Sequence, residues 1–232
     1  MADRRIVIAG AGMGGLAAAI ILSSAGFRTT VVEATDRPGG KMRPAAVAGP
    51  PIDAGPTVLT LRWAFDRLFE EAGSSLSDWT TLVRAEPLAR HAWADGSRLD
   101  LHSDVDRSAE AIERFAGARE AEGYRRFCTR AETIYQTLRD SFMDGSRPSP
   151  LELSARVGLS KIGRISPFTS MWKALGEHFA DPRLRQLFGR YATYCGSSPF
   201  LAPATLMLVS HVEREGVWLA RVNRWVCWLS RK

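Results

Sequence analysis

The chain is most constrained by its first forty-odd residues. Ile6-Val7-Ile8 is a short β-branched run, suited to a strand buried on both faces of a parallel sheet. It leads straight into Gly10-Ala11-Gly12-Met13-Gly14-Gly15, where Gly10, Gly12 and Gly15 keep the spacing G-x-G-x-x-G. Gly10 permits the tight turn from strand to helix. Gly12, without a Cβ, lets backbone approach a pyrophosphate, and Gly15 lets the helix pack closely on the strand. The pattern predicts a helix over 13–25 that aims its free N–H groups and positive dipole end at phosphates. Gly26 stands where a helix-ending glycine belongs. Thr29-Thr30-Val31-Val32 makes a second strand, and Glu33 ends it. Glu33 is placed to accept hydrogen bonds from adenosine ribose hydroxyls, and its charge would repel a 2′-phosphate. Strand, glycine turn, helix, strand and terminal acid agree on a βαβ unit for a dinucleotide.

The remaining composition narrows the class. A length of 232 residues with 45% hydrophobic content allows one large domain or two small ones with a sizeable core. The net charge of +6 is carried mostly by arginine, and the basic side chains are interleaved with acids. This reads as a solvated surface; a basic face toward anionic lipid is the sharper alternative. No basic stripe or recognition motif supports a nucleic-acid partner, and none is expected. Cys128, Cys195 and Cys227 are far apart without a C-x-x-C pair. His91, His102, His178 and His211 are equally scattered, so no metal site is expected. The apolar residues near Ile20-Ile21-Leu22 lack a signal-peptide pattern. No run of eighteen apolar residues exists, so membrane contact would be peripheral.

NAD and FAD share the first βαβ unit, and the next segment separates them. After Glu33 come Asp36-Arg37-Pro38-Gly39-Gly40-Lys41-Met42-Arg43. Paired glycines let backbone pass close to a ligand, and the cations can address phosphate or ribose oxygens. This E-x-x-D-R-P-G-G-K stretch resembles the flavoproteins of the amine oxidase and phytoene desaturase group. Ile52-Asp53-Ala54-Gly55-Pro56-Thr57 extends the likeness to the bacterial FAD-dependent carotenoid desaturases. Further similar stretches are Phe179-Ala180-Asp181-Pro182-Arg183, Gly196-Ser197-Ser198-Pro199-Phe200 and His211-Val212-Glu213-Arg214-Glu215-Gly216-Val217-Trp218. The segments 53–60 and 89–101 look most like the 1-hydroxycarotenoid 3,4-desaturases of purple bacteria.

The resemblance implies an FAD enzyme that takes a hydride and a proton from adjacent carbons of a carotenoid, with the flavin N5 as hydride acceptor. It carries cofactor contacts onto Gly10, Gly12, Gly14, Gly15, Glu33, Gly40, Lys41, Arg43 and Gly55. It names no catalytic acid or base. The implied partners are a lipid-soluble carotenoid and a peripheral membrane surface, the inner photosynthetic membrane seen from the cytoplasm. The alternatives within enzymes are a phytoene desaturase or an amine-oxidase-like flavoenzyme. From a different class, the alternative is a non-catalytic dinucleotide-binding fragment.

The fold class expected is α/β: a Rossmann-like βαβ unit with a parallel sheet, plus a mainly helical substrate or cap region. The boundaries read as 1–88 for the FAD-binding part, 89–219 for the hairpin and helices, and 220–232 as a tail. Segment 89–101 alternates as a hairpin with a two-residue Asp95-Gly96 turn. Helical periods follow over 104–144, 151–157, 168–179, 182–194 and 202–213, with Asp181 as N-cap and Pro182 at the first helical position. After Trp218 the family pattern is broken, and three of the seven tryptophans fall in 218–232. A reading-frame disruption near residue 220 is expected to leave about the N-terminal half of a longer enzyme, with poor solubility and weak or absent activity. The alternative is a short basic and aromatic tail for a membrane interface.

Overall fold

The computed structural model describes residues 4–49, 52–56, 58–139 and 165–220; the expected helix over 151–157 and the tail 221–232 lie outside them. The chain divides into two compact units. The described residues up to Ala85 join 217–220 in the first, and Glu86–Gly216 forms the second. The sequence boundaries fell instead at 88/89 and 219/220.

In the first unit, β1 (Arg5–Ala9) and β2 (Arg28–Val32) pair in parallel, with Ile6 opposite Thr29 and Ile8 opposite Val31. Between them runs α1 (Met13–Ser24). Its end is closed by a reciprocal pair of bonds: Gly26 N–H donates to Ser23 O (3.0 Å) and Phe27 N–H to Leu22 O (3.1 Å). Gly26 has φ +87°, the left-handed value this ending requires. β1 is not buried on both faces, contrary to the sequence expectation. Among the described residues the parallel sheet has two strands, and α1 packs on the face carrying Ile8. Val7 and Val32, on the other face, are 68% and 49% exposed. The unit continues through β3 (Pro44–Ala45) and β4 (Ile52–Asp53), an antiparallel pair, then α2 (Arg62–Glu71) and α3 (Leu76–Trp79). Ser75 and Asp78 cap α3 reciprocally. β5 (Leu82–Arg84) then waits for a partner from the far end of the sequence.

The second unit opens with the expected hairpin, β6 (Ala89–Ala92) against β7 (Arg98–Leu101). Its loop is one residue longer than expected. Trp93 N–H reaches Ser97 O (3.0 Å) and Gly96 N–H reaches Trp93 O (3.0 Å), so 94–96 form the loop and Gly96, at φ +83°, makes the left-handed step. The helical period expected over 104–144 is, within the described residues, two helices, α4 (Val105–Ala116) and α5 (Ala118–Leu138), because Gly117 at φ +95° breaks the path; 140–144 lie outside them. α6 is Met171–His178, shorter than expected: Ser170 is its N-cap and 168–170 are not helical. α7 (Pro182–Gly189) starts as expected, with Asp181 accepting from Arg183 N–H (2.8 Å) and Pro182 at the first position. It tightens into 3₁₀ turns over Arg190–Cys195. A further 3₁₀ turn, Ala204–Met207, precedes α8 (Leu208–Glu215).

This unit holds a dense aromatic core. Phe127 and Phe179 each lie 4.8 Å from Phe188, centroid to centroid, and Tyr124 lies 5.6 Å from it. All four are essentially inaccessible. The buried Glu120 carboxylate accepts the Ala180 N–H at 3.1 and 3.2 Å, tying α5 to the chain between α6 and α7. The buried Glu213 carboxylate takes both guanidinium nitrogens of Arg190 (3.0 and 2.5 Å) and the Tyr194 hydroxyl (2.5 Å). That satisfies a charge which would be costly to bury alone. β8 (Trp218–Ala220) finally returns to the first unit, where it pairs antiparallel with β5.

Two predictions follow from this packing. A Cβ at Gly123 would stand 2.0 Å from the His178 carbonyl oxygen. Gly123→Ala is therefore expected to destabilise the chain by about 1–3 kcal/mol, although alanine is intrinsically the better helix former; urea unfolding measures this. Burial depresses the pKa of His178 and, with Arg190 nearby, of His91; the buried Nδ1 of one and Nε2 of the other lack a hydrogen-bond partner. Both are neutral in the fold and protonate more readily when unfolded. Their contribution is complete above the ordinary histidine pKa of about 6.5 and is lost as pH falls toward the depressed values. The urea midpoint should drop between pH 7 and pH 5, and His178→Asn should shrink that drop; an equal drop in the variant would contradict the assignment.

Candidate cofactor site

The glycine turn after β1 is fixed by three backbone-centred bonds. Gly10 N–H donates to Val32 O (2.7 Å), joining the turn to the end of β2. Ala11 N–H donates to Glu33 Oε2 (2.7 Å), and Ala11 O accepts from Gly39 N–H (2.9 Å). The first glycine loop and the second are thus joined through a single peptide residue, which is 5% exposed.

The glycines are required by close approach. A Cβ on Gly15 would meet Gly10 O at 1.9 Å, and one on Gly40 would stand 3.0 Å from the Gly12 Cα. On Gly55 it would meet Lys41 O at 2.1 Å. Gly40 itself has φ +59°. Gly14 is different: a Cβ there would meet nothing within 4 Å.

Glu33 has a role in the chain itself. Besides Ala11 N–H, its carboxylate accepts Thr35 N–H and the Thr35 hydroxyl, each at 3.0 Å. These donors, the Ala11 amide first, hold its pKa below the usual carboxylate value. A fixed negative charge therefore stands beside the glycine turn at neutral pH.

A cavity of about 720 Å³ opens beside the two loops, within the range of small-molecule and cofactor sites. Five of the nine predicted positions line it: Gly12, Gly40, Lys41, Arg43 and Gly55. Gly10, Gly15 and Glu33 shape the loop without lining the cavity, and Gly14 is exposed on α1. The N-terminus of α1 has no side-chain cap, which suits it to an anion; Met13, its first residue, lines the cavity.

The other wall escaped the sequence reading. It includes Leu59, Phe65, Trp218 and Leu219. Trp218 N–H donates to Leu59 O (2.8 Å), and the Arg62 guanidinium lies 4.9 Å over the Trp218 ring. Leu61, between Thr60 of the cavity lining and Arg62, holds a left-handed backbone (φ 51°, ψ 45°), a conformation rarely adopted by a bulky residue. The turn beside the cavity is therefore strained. Among the described residues no cluster of histidine, cysteine and carboxylate could hold a metal ion.

The residues fit a dinucleotide. The glycine cradle admits backbone to a ligand where side chains would collide. A helix N-terminus and two cations offer partners for phosphate, and the apolar wall offers a surface for a flat ring.

Comparison with known proteins agrees with this geometry. The chain is 46% identical over 218 residues to a hydroxyneurosporene desaturase of Rubrivivax gelatinosus, covering 92% of this chain and 42% of the relative. It is 44% identical to the hydroxyneurosporene desaturase of Rhodobacter capsulatus, covering 93% and 44%. A phytoene dehydrogenase of Streptomyces griseus is 38% identical, covering 93% and 43%. The chain thus spans under half the length of these curated relatives. Among solved structures, a putrescine oxidase variant superposes with a TM-score of 0.57 at 18% identity, covering 92% of this chain and 42% of that one. Cyclohexylamine oxidase of Brevibacterium oxydans superposes at 0.52 with 21% identity, covering 92% and 42%. These two likenesses show the fold. The family model for flavin containing amine oxidoreductases matches residues 13–212, and the chain belongs to that family.

Proposed function

We propose that the chain binds FAD and belongs to an enzyme that desaturates a carotenoid, with a 1-hydroxycarotenoid as the substrate class. The carrying observation is the doubled glycine cradle: Gly12 against Gly40, locked through Ala11, beside a cavity lined by Lys41 and Arg43. The identity to hydroxyneurosporene desaturases, at 44–46%, supports the substrate class.

On this reading Gly10 and Gly15 shape the turn, and the α1 N-terminus with Gly12 and Gly40 receives the pyrophosphate. Lys41 and Arg43 contribute charge to phosphate or ribose oxygens. Glu33 keeps the loop in register and presents negative charge where a 2′-phosphate would be repelled. Gly55 lets its strand-end backbone approach Lys41. Trp218 and Leu59 supply an apolar wall that excludes water. When bound, FAD supplies two-electron acceptance. The chain's own contribution to the reaction is then orientation of the C–H bonds, since a polyene offers no heteroatom at the reacting carbons. The carotenoid itself is lipid-soluble, which places the enzyme's substrate in a membrane phase. No described helix is long and apolar enough to cross a membrane, and the reading is peripheral association.

Two measurements test this. Purified chain reconstituted with FAD should show a flavin absorbance band. Gly15→Ala should weaken FAD retention by tenfold or more, because of its 1.9 Å clash, whereas Gly14→Ala should retain it. Equal retention in both variants would sink the cradle assignment. Expression of the chain together with the polypeptide corresponding to the rest of a full-length relative, in a host making 1-hydroxycarotenoids, should lengthen the pigment chromophore. Conversion of an amine in place of any pigment change would favour the amine-oxidase reading instead.

A further inference from the structure

Residues 33–39 connect β2 to the second glycine loop and form neither helix nor strand. With no ladder to set their path, individual hydrogen bonds must do so. Thr35 sits in the middle of them. Its hydroxyl lies 3.0 Å from Glu33 Oε1 and 2.9 Å from Arg37 O, acceptors on either side of it in the sequence. One proton is thus offered between the two, and the Thr35 N–H reinforces the first contact at 3.0 Å. Glu33 Oε2 in turn accepts Ala11 N–H (2.7 Å), and Ala11 O accepts Gly39 N–H (2.9 Å).

These contacts close a ring. From Glu33 it crosses to Ala11, from Ala11 to Gly39, and it returns along the chain through Pro38 to Arg37 and Thr35. Ala11 and Gly39 are the neighbours of Gly12 and Gly40, whose backbones approach so closely that a Cβ on Gly40 would stand 3.0 Å from the Gly12 Cα. Gly39 and Gly40 both have positive φ, +125° and +59°. A backbone path that needs glycine is also one with many alternatives, and a loop that finds its register only on meeting a ligand loses affinity to that ordering. Threonine suits the position. Its β-branch restricts χ1, and its short hydroxyl reaches acceptors two residues away on either side.

We infer that Thr35 is a positioning residue of the cofactor site: its hydroxyl closes this ring and presets the approach of Gly12 to Gly40 before a ligand arrives. Glu33 joins the end of β2 to the first glycine loop; the Thr35 hydroxyl adds the tie to Arg37 that leads to the second. Thr35 does not line the cavity, so it acts through Glu33 and the two loops. The inference rests on the proposed function for the identity of the ligand, whereas the ring is a property of the chain alone.

The test compares Thr35→Val, which keeps the shape and removes the hydroxyl, with Thr35→Ser, which keeps the hydroxyl, both in the full chain. Amide hydrogen exchange is followed by nuclear magnetic resonance without cofactor, and FAD affinity by quenching of flavin fluorescence. In Thr35→Val the Ala11 and Gly39 amides should exchange about fivefold faster, the factor expected for one hydrogen bond of ordinary strength. The Gly10 amide, which donates to Val32 O outside the ring, should be unchanged. FAD affinity should fall by a similar factor, and Thr35→Ser should restore both. Because Thr35 is exposed, the thermal midpoint should stay as in wild type. Unchanged exchange at Ala11 and Gly39 in the valine variant would overturn the inference, as would an unaltered FAD affinity. So would equal acceleration at Gly10, which reports loosening of the whole unit, or a serine variant that behaves as the valine variant does. A wild-type chain that shows the exchange pattern but does not bind FAD would leave the ring standing and refute the cofactor reading instead.

Discussion

The first unit depends on the peptide groups on either side of Ala11. One donates its N–H to Glu33 and the other lends its carbonyl to Gly39, so a strand end, a helix start and a distant loop meet at one residue. A carboxylate acceptor makes the first of these bonds charge-assisted, which is the stronger kind. The glycines around it follow from that crossing. Where three backbones converge there is no volume for Cβ atoms, and Gly15, Gly40 and Gly55 each stand where one would strike or crowd another backbone. The cradle is therefore first a solution to chain packing. Its suitability for a phosphate-bearing ligand follows because the uncapped N-terminus of α1 is left beside the cavity.

The two units hold themselves together by different means. In the second, aromatic rings stack in the interior and two buried carboxylates are satisfied by an amide, a guanidinium and a hydroxyl. In the first, α1 contains no fully buried residue and one sheet face leaves Val7 and Val32 accessible. Binding a ligand in its cavity would add stability by mass action.

What could be read from the sequence was what is encoded locally. The βαβ order, the Gly26 helix ending and the Asp181–Pro182 helix start each depend on residues within a few positions of one another. The positions Gly12, Gly40, Lys41, Arg43 and Gly55 were legible because glycine spacing and adjacent cations report close backbone approach. The errors have equally physical causes. Periodicity carried a helix through Gly117, whose positive φ ends one helix and starts another. It extended α6 back to Phe168, where the chain instead makes a turn and then bonds through Thr169–Met171 to Ala202–Ala204. The wall formed by Leu59 and Trp218 was invisible because strand pairing across so long a separation leaves no mark in either segment alone.

That pairing has a consequence for the order in which the protein can be built. Because β5 meets β8 only after all of Glu86–Gly216 has been made, the second unit is an insertion within the first. The two glycine loops of the cavity precede that insertion in the sequence, and its Trp218 side follows it. A cofactor arriving during synthesis meets half a vessel, a floor of glycines with one wall missing. Completion of the cavity thus waits on synthesis of the helical insert.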